Sequence, residues 1–365
     1  MKKLLPIILV LIFALSLFSC GDKYPPVEST AEESQTVFTL SYDGREYEVK
    51  YELYRALFTS MKESVDGGDD SVWSGENKAE YVKKINEKII DYAAEIYSTF
   101  SLCERAGINV YSNKYEDKID EYIELSVEGG IVNGLKVMGF EGDYQKYLDS
   151  LKKEGVNYSV QRLLLRYSIA VDELSEHYIG EELTDGPEFG EIKYTESDID
   201  SFYYSDECVR VIYAYLSSDA YTENRANEVR DVMASKTGAD AVANYVISHT
   251  TTLVASDVKF GLLIAKNNLD DRYFGEIRDA AFSLEIGKTS EVITLNTGSE
   301  NGFVIMYRVD KSGEHLAAKR TDVINVYLEN EFGKILLEHK NGFVGGFRAE
   351  SLLSQIDHAT ICAKQ

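Results

Sequence analysis

Basic residues are scarce in this sequence of 365 residues. Its 38 Lys and Arg residues face 62 Asp and Glu residues, which gives a formal net charge of -24. Phosphate binding needs a basic face, so this balance argues against a nucleic-acid partner. An acidic surface favours solubility and attracts basic polypeptide segments, although protection against aggregation alone explains it equally well.

Motifs for catalysis and metal binding are also absent from the sequence. The four cysteines, Cys20, Cys103, Cys208 and Cys362, form neither a CxxC pair nor a zinc-binding spacing. The five histidines are dispersed and are expected at the surface: His177, His249, His315, His339 and His358. No HExxH pair, Gly-x-Ser-x-Gly elbow or phosphate-binding glycine loop occurs. The sequence therefore predicts no catalytic residue, no metal site and no cofactor.

The longest apolar run, from Leu4 to Phe18, is too short to span a bilayer comfortably, because a spanning helix needs about 20 residues. After Lys2 and Lys3, it has the length of a signal-peptide core. Leu17-Phe18-Ser19-Cys20 resembles a bacterial lipobox, and this resemblance implies cleavage before Cys20 and acylation of its sulfur. The alternative is an ordinary signal peptide with an incidental cysteine.

We therefore predict a lipoprotein signal peptide over residues 1–19 and a flexible, lipid-anchored tether over residues 20–36. The tether contains Pro25-Pro26 and several Ser, Thr and Glu residues. The expected location is the extracytoplasmic face of the cell membrane. If the chain is exported, at least one of the three remaining cysteines is free or paired with another molecule.

Residues 37–190 are predicted to form a mainly helical domain. Weak alternation around Asp43-Gly44 indicates a β-hairpin, and residues 76–105 carry apolar side chains at every third or fourth position. Amphipathic helices are expected over 112–127, 143–153 and 159–178, the last capped by Ser159.

Residues 195–312 switch between helical and strand patterns. A capping box at Thr195–Asp198 begins a short helix, and strands are predicted over 209–216, 292–295 and 303–309. Helices are expected over 222–235 and 239–248, residues 254–265 are not classified, and a helix after Phe274 is predicted to end at Gly287. The resulting order is β-α-α, an irregular piece, and α-β-β.

This order, and the residues Phe282, Leu284, Gly287, Ser290 and Gly302-Phe303, resemble the C-terminal half of a parvulin-type peptidyl-prolyl isomerase domain. The whole layout resembles extracytoplasmic foldases of the PrsA/SurA type. That resemblance implies an α+β protein, with a helical SurA-like N-terminal chaperone domain and a parvulin-like domain with an FKBP-like sheet. It also implies a C-terminal helix over 313–345 that packs back on the N-terminal domain, followed by a tail over 346–365.

The resemblance also locates a degenerate peptide-binding cleft. The two histidine positions of the family correspond to Tyr213 and Val304, and its proline-pocket residues fall near Tyr273 and Ile277. Asp257 is a candidate for the family's acidic position. The alternative for the four cleft residues is ordinary sheet and helix core.

Three functions are compatible with these features. The leading hypothesis is a membrane-anchored extracytoplasmic chaperone that binds unfolded exported polypeptides through apolar, tyrosine-rich surfaces; the chain has 26 tyrosines. The second is an active peptidyl-prolyl isomerase despite the missing histidines, and the third is a surface binding or adhesion lipoprotein. The expected partners are unfolded polypeptides and the membrane, through the lipid on Cys20, with a homodimer left open.

Overall fold

A computed structural model of the protein describes residues 24–132, 135–180, 190–250, 255–267, 271–296 and 301–363. The predicted signal peptide and Cys20 lie outside these residues. The contacts divide the chain into two compact units. We call the described parts of Ile8–Ser175 and Leu336–Gln365 the helical unit, and those of Glu176–Ile335 the sheet unit.

The helical unit begins with a hairpin of β1 (Thr36–Tyr42) and β2 (Arg45–Lys50). Asp43 and Gly44 connect the strands with φ values of 52° and 75°. Two consecutive left-handed residues are what a two-residue type I′ turn requires, and glycine adopts this conformation without steric cost. The predicted hairpin is therefore confirmed.

Helices and one further ribbon follow the hairpin in chain order: α1 (Tyr51–Met61), α2 (Glu63–Asp66), α3 (Lys78–Arg105), α4 (Asn113–Glu128), β3 (Gly130–Val132), β4 (Leu135–Val137), α5 (Tyr144–Lys153) and α6 (Tyr158–Ile179). The long helix α3 buries Ile85, Ile89 and Ile96 on one face, in agreement with the predicted period. At the start of α6, the Asn157 side chain accepts a hydrogen bond from the amide of Val160 at 2.9 Å. Asn157 therefore caps this helix, and the prediction of Ser159 as the cap was wrong by two residues.

The sheet unit continues, in chain order, with α7 (Glu196–Tyr204), β5 (Cys208–Ser217), α8 (Glu223–Ser235), α9 (Ala239–Ile247), α10 (Ala255–Phe260), β6 (Leu262–Ala265), α11 (Asp271–Ser283), β7 (Ile293–Asn296) and β8 (Asn301–Val309). The capping box of α7 is formed, with the Asp198 amide donating to the Thr195 hydroxyl and the Thr195 amide to the Asp198 carboxylate. The four strands are antiparallel in the order β6-β5-β8-β7. The stretch that the sequence left unclassified forms α10 and β6.

Both faces of this sheet are covered by helices. Successive side chains of a strand point to opposite faces, so β5 contributes to a separate cluster on each face. Ile212, Ala214 and Leu216 of β5 pack in one cluster with residues of α8 and α9. Val209, Val211 and Tyr215 pack in another with residues of α11. The nearly continuous apolar run of β5 is explained by its burial on both sides. The chain as a whole is an α+β protein, as predicted.

The C-terminal part contains α12 (Gly313–Ala318), α13 (Arg320–Gly345), β9 (Phe347–Ala349) and α14 (His358–Ala363). The single helix predicted over 313–345 is thus interrupted at Lys319. Residues of α13 up to Ile335 belong to the sheet unit, and those from Leu336 belong to the helical unit. Within the helical unit, Phe343 stacks on Tyr42 with ring centroids 4.8 Å apart.

The segments predicted as a tether and a tail both contact the helical unit. The tail over 346–365 contributes β9, which pairs with β1 in a sheet of order β2-β1-β9. The tether predicted to be flexible is held from Tyr24 onwards, where the Tyr144 hydroxyl donates to the Pro25 carbonyl at 2.8 Å. In this structure tyrosine hydroxyls satisfy the main-chain carbonyls of Tyr24 and Pro25, and the flexibility of the tether stays a prediction.

Candidate peptide-binding site

Three of the four predicted cleft residues lie in the apolar cluster between the sheet and α11. In the pairing of β5 with β8, Tyr213 lies opposite Met306 and Tyr215 lies opposite Val304. Tyr213 and Val304 are therefore diagonal neighbours on one face. Ile277 of α11 packs in the same apolar cluster.

The accessibility of these residues differs. Val304 is fully buried and Ile277 is 3% exposed, whereas Tyr213 is half-buried. In this conformation Tyr213 is the member of the three that presents surface to solvent. Tyr273 belongs to α11 and Asp257 to α10, but the side chains of both lie outside the part that the structure describes.

The α11 face of the sheet is an apolar cluster. The described members of its cluster are aliphatic or aromatic, and the polar atoms among them are the hydroxyls of Tyr213 and Tyr215. The Tyr215 hydroxyl donates to the Asn301 carbonyl at 3.2 Å. Most of this face is internal packing, because Val211, Ala281 and Val304 are fully buried.

The motif residue Ser290 has a structural role in this unit. Its hydroxyl accepts a hydrogen bond from the amide of Met306 at 3.0 Å, and its amide donates to the Met306 carbonyl at 2.8 Å. Ser290 is 4% exposed. The serine therefore joins the loop after α11 to β8 and extends the ladder of the sheet.

The motif residue Gly287 has a different role from the predicted one. Helix α11 ends at Ser283, and Gly287, with φ 81°, donates from its amide to the Arg308 carbonyl at 2.8 Å. Arg308 in turn donates to the carbonyls of Ala281 and Leu284 at 2.8 and 3.3 Å. A cationic side chain at these carbonyls satisfies the helix end, so no glycine is needed there.

Three of the five histidines are buried, which corrects the expectation that they lie at the surface: His315, His339 and His358. The Nδ1 atom of His315 lies 2.9 Å from the Tyr203 hydroxyl. Burial, with help from the nearby Arg210, lowers the pKa of His315 to about 4. This imidazole is neutral at physiological pH and links α12 to α7. Tyr203 and His315 are 112 positions apart, so no local pattern indicated the contact.

The three cysteines of the described part are free thiols. Cys103 and Cys208 are buried, and burial raises the pKa of the Cys103 thiol to about 12. Such thiols behave as small apolar residues and not as nucleophiles. Across the described ranges no group of three or more His, Cys, Asp and Glu side chains is placed to hold a metal ion. Nor does any described helix have the length and apolar character needed to cross a bilayer.

Comparison with known proteins returns solved structures of the same group of foldases that the motifs resemble. The chain is similar to foldase PrsA of Streptococcus pneumoniae, with 15% identity, a TM-score of 0.30, and coverage of 75% of this chain and 89% of that one. PrsA of Bacillus subtilis gives 16% identity, a TM-score of 0.25, and coverage of 86% and 93%.

A SurA-like chaperone of Campylobacter jejuni gives 12% identity and a TM-score of 0.23, and covers 86% of this chain and 99% of that one. No protein-family model matches the sequence, and no curated protein matches it. At these TM-scores we draw the functional argument from the residues of this chain alone.

Proposed function

We propose that the protein is a membrane-anchored extracytoplasmic chaperone that binds unfolded exported polypeptides, and that its sheet unit does not catalyse prolyl isomerisation at an appreciable rate. The observation that carries the proposal is the apolar face beneath α11. The positions equivalent to the family's two histidines hold Tyr213 and the fully buried Val304.

The physical reason lies in what isomerisation needs. The amide must lose its resonance over a barrier of about 18–20 kcal/mol, and a site helps through a shaped pocket with placed hydrogen bonds. The α11 face retains apolar packing groups and one half-buried tyrosine. Without those groups we expect the sheet unit to leave this barrier unchanged, and we assign client binding to exposed apolar side chains of the helical unit.

Exposed apolar side chains on the helical unit support the holding activity. Ile131 is 76% exposed, Met138 is 79% exposed and Tyr111 is 57% exposed. An unfolded polypeptide binds to exposed apolar surface. The acidic charge of the protein keeps such a complex soluble. An adhesion lipoprotein is the remaining alternative, and it predicts no preference for unfolded chains.

Two assays on one preparation of residues 21–365 test the proposal. We expect a proline peptide to isomerise at the uncatalysed rate, over tens to hundreds of seconds at 25 °C. The same protein is expected to suppress aggregation of a reduced, unfolded client at roughly stoichiometric ratio.

The variant Tyr213→Phe is the control for residual catalysis, since it removes the hydroxyl and keeps the ring. Rapid isomerisation by the wild type that is lost in Tyr213→Phe would establish the enzyme hypothesis instead. If the protein neither catalyses isomerisation nor suppresses aggregation, the adhesion hypothesis remains.

A further inference from the structure

The first described residues of the chain form an extended segment across the helical unit. We call residues Tyr24–Ser29 the strap. Residues 25–28 are exposed and have no regular secondary structure, whereas Tyr24 and Ser29 are half-buried. The strap is therefore attached at its two ends and lies on the surface between them.

At the first end, tyrosines bind the main chain of the strap. The Tyr144 hydroxyl donates to the Pro25 carbonyl at 2.8 Å, and the Tyr158 hydroxyl donates to the Tyr24 carbonyl at 3.5 Å. Burial raises the pKa of Tyr144 to about 12, so its hydroxyl is a neutral donor at physiological pH. These contacts recognise carbonyl oxygens, which every polypeptide offers.

The Tyr24 side chain adds an aromatic anchor at the same end. Its ring lies 5.0 Å from the Tyr144 ring, and its hydroxyl donates to the Glu128 carboxylate. The ring also packs against the apolar cluster of α4, α5 and α6. The strap thus combines one aromatic side chain with extended main chain.

At the second end, the Ser29 hydroxyl donates to the Glu52 carboxylate. Asn157 donates to the same carboxylate at 2.7 Å and lies 3.5 Å from the Ser29 hydroxyl. This contact is polar, and it fixes the second end of the strap on the helical unit.

A cavity of about 590 Å³ lies between these attachments. The strap residues Pro26–Ser29 line it, and Arg162 and Arg166 are among the lining residues of the helical unit outside the strap. The cavity is open space beside the strap and is large enough to take further side chains.

The charges in the cavity favour a neutral ligand. Arg162 pairs with Glu116 and Asp120, and Arg166 pairs with Glu116. Glu28 also lines the cavity but belongs to the strap, so two cations face two carboxylates once the strap has left. Arg166 is 9% exposed, and its Nε is buried without a hydrogen-bond partner among the described residues. Such a donor suits an uncharged acceptor, such as a peptide carbonyl, because the carboxylates already balance the cations.

We infer that this groove is a binding site for an extended segment of an unfolded polypeptide, and that the strap is a tethered pseudo-client that occupies it. The inference rests on the proposed chaperone function. The ligand class is an extended chain that carries an aromatic side chain followed by residues that present their carbonyls. The strap lowers the apparent affinity for a client, because the groove is available only in the fraction of molecules whose strap has left it.

The test measures binding of carboxymethylated, fluorescently labelled α-lactalbumin, a permanently unfolded chain, to the protein of residues 21–365. In Tyr24→Ala, which loses the ring contact and the bond to Glu128, we expect the apparent affinity for this client to rise by about tenfold. In Tyr24→Ala/Tyr144→Phe we expect it to fall again by about threefold or more, since one carbonyl donor is lost. Tyr204→Phe, at an exposed tyrosine of the sheet unit, is the matched control and is expected to leave affinity unchanged.

A synthetic peptide of residues 24–31 provides a second measurement. It is expected to displace the client from Tyr24→Ala, whereas the same peptide with alanine in place of its tyrosine is not. Equal client affinity in wild type and Tyr24→Ala, together with no displacement by the peptide, would overturn the inference while leaving the chaperone proposal intact. No client binding by any of the proteins would overturn the chaperone proposal itself.

Discussion

Ser290 and Met306 exchange two hydrogen bonds in which the serine hydroxyl and the serine amide both take part. The bond from the Met306 amide to the hydroxyl replaces one that a neighbouring strand supplies elsewhere in a sheet. A side chain thus continues the ladder where the backbone of the loop departs from regular pairing. The Phe-x-Leu-x-x-Gly-x-x-Ser spacing of the sequence is explained in part by this contact.

Substitution of this serine is the first prediction. Ser290→Ala leaves the buried Met306 amide without its acceptor, and we expect a loss of about 1–3 kcal/mol in the free energy of unfolding. Urea unfolding of the full chain measures it. Ser283→Ala, at an exposed position at the end of α11, is the control and should stay within about 0.5 kcal/mol of wild type. Equal losses in the two variants would contradict the role given to Ser290.

Gly333 of α13 is the subject of the second prediction. A Cβ atom at this position would lie 1.9 Å from the Asn267 carbonyl oxygen. Asn267 is held in place because its main-chain amide donates to the side-chain oxygen of the buried Asn330 at 3.1 Å. Because neither neighbour can move cheaply, Gly333→Ala is expected to cost about 1–3 kcal/mol through overpacking.

Gly345, at the end of the same helix, is the matched control for this change. A Cβ there meets nothing within 4 Å. Gly345→Ala is therefore expected to be neutral or to stabilise by up to about 1 kcal/mol, since alanine has the better helix propensity. A thermal melt of both variants decides the matter, and a Gly333→Ala protein as stable as wild type would exclude the close approach.

The third prediction concerns acid sensitivity and His358 of α14. Its Nε2 lies 2.8 Å from the Tyr54 hydroxyl, and its ring stacks on Trp73 with centroids 5.7 Å apart. Burial, assisted by Lys78 and opposed by Asp357, lowers the pKa of His358 to about 4. The unfolded chain binds the proton near pH 6.5, so this contribution to stability is complete above that pH and is lost as the pH falls from 6.5 towards 4.

Urea midpoints at pH 7.5 and pH 5 measure this loss. We expect the wild-type midpoint to fall at pH 5, and we expect a smaller fall in His358→Phe, which keeps an aromatic ring beside Trp73 and cannot take up a proton. An identical pH dependence in the two proteins would show that His358 is not the group responsible.

The fourth prediction concerns membrane attachment. If a lipid on Cys20 anchors the protein, Cys20→Ser should move it from the membrane fraction to the soluble fraction, because the sulfur that carries the lipid is removed. Fractionation after a high-salt wash measures the change. Cys362→Ser, at a free thiol of α14, is the control and should remain with the membrane. A Cys20→Ser protein that still partitions with washed membranes would contradict the lipid anchor.

Local features were predictable wherever a few neighbouring residues decide the conformation. The Asp43-Gly44 turn depends on left-handed φ values, and the box at Thr195 depends on two side chains three positions apart. The helix α3 follows from its apolar period. In each case the physical cause acts within one or two turns of chain, so the pattern in the sequence is sufficient.

The candidate cleft was predictable only in part. The face shared by Tyr213, Ile277 and Val304 follows from strand alternation and helix period, and the structure places them in one cluster. Their burial does not follow, because it depends on how closely α11 packs on the sheet. Gly287 illustrates the same limit, since the end of α11 is set by Arg308, which lies 21 residues farther along the chain.

The sequence by itself determined the α+β class, the order of helices and strands over residues 195–312 apart from α10 and β6, and the absence of histidine at the two family positions, because these depend on local periodicity and residue identity. Only the tertiary structure decided that β9 pairs with β1 and that the strap lies on Tyr144. In these contacts the partners are more than a hundred residues apart. No local pattern encodes such a pairing, since it depends on which surfaces remain uncovered after the helices have packed.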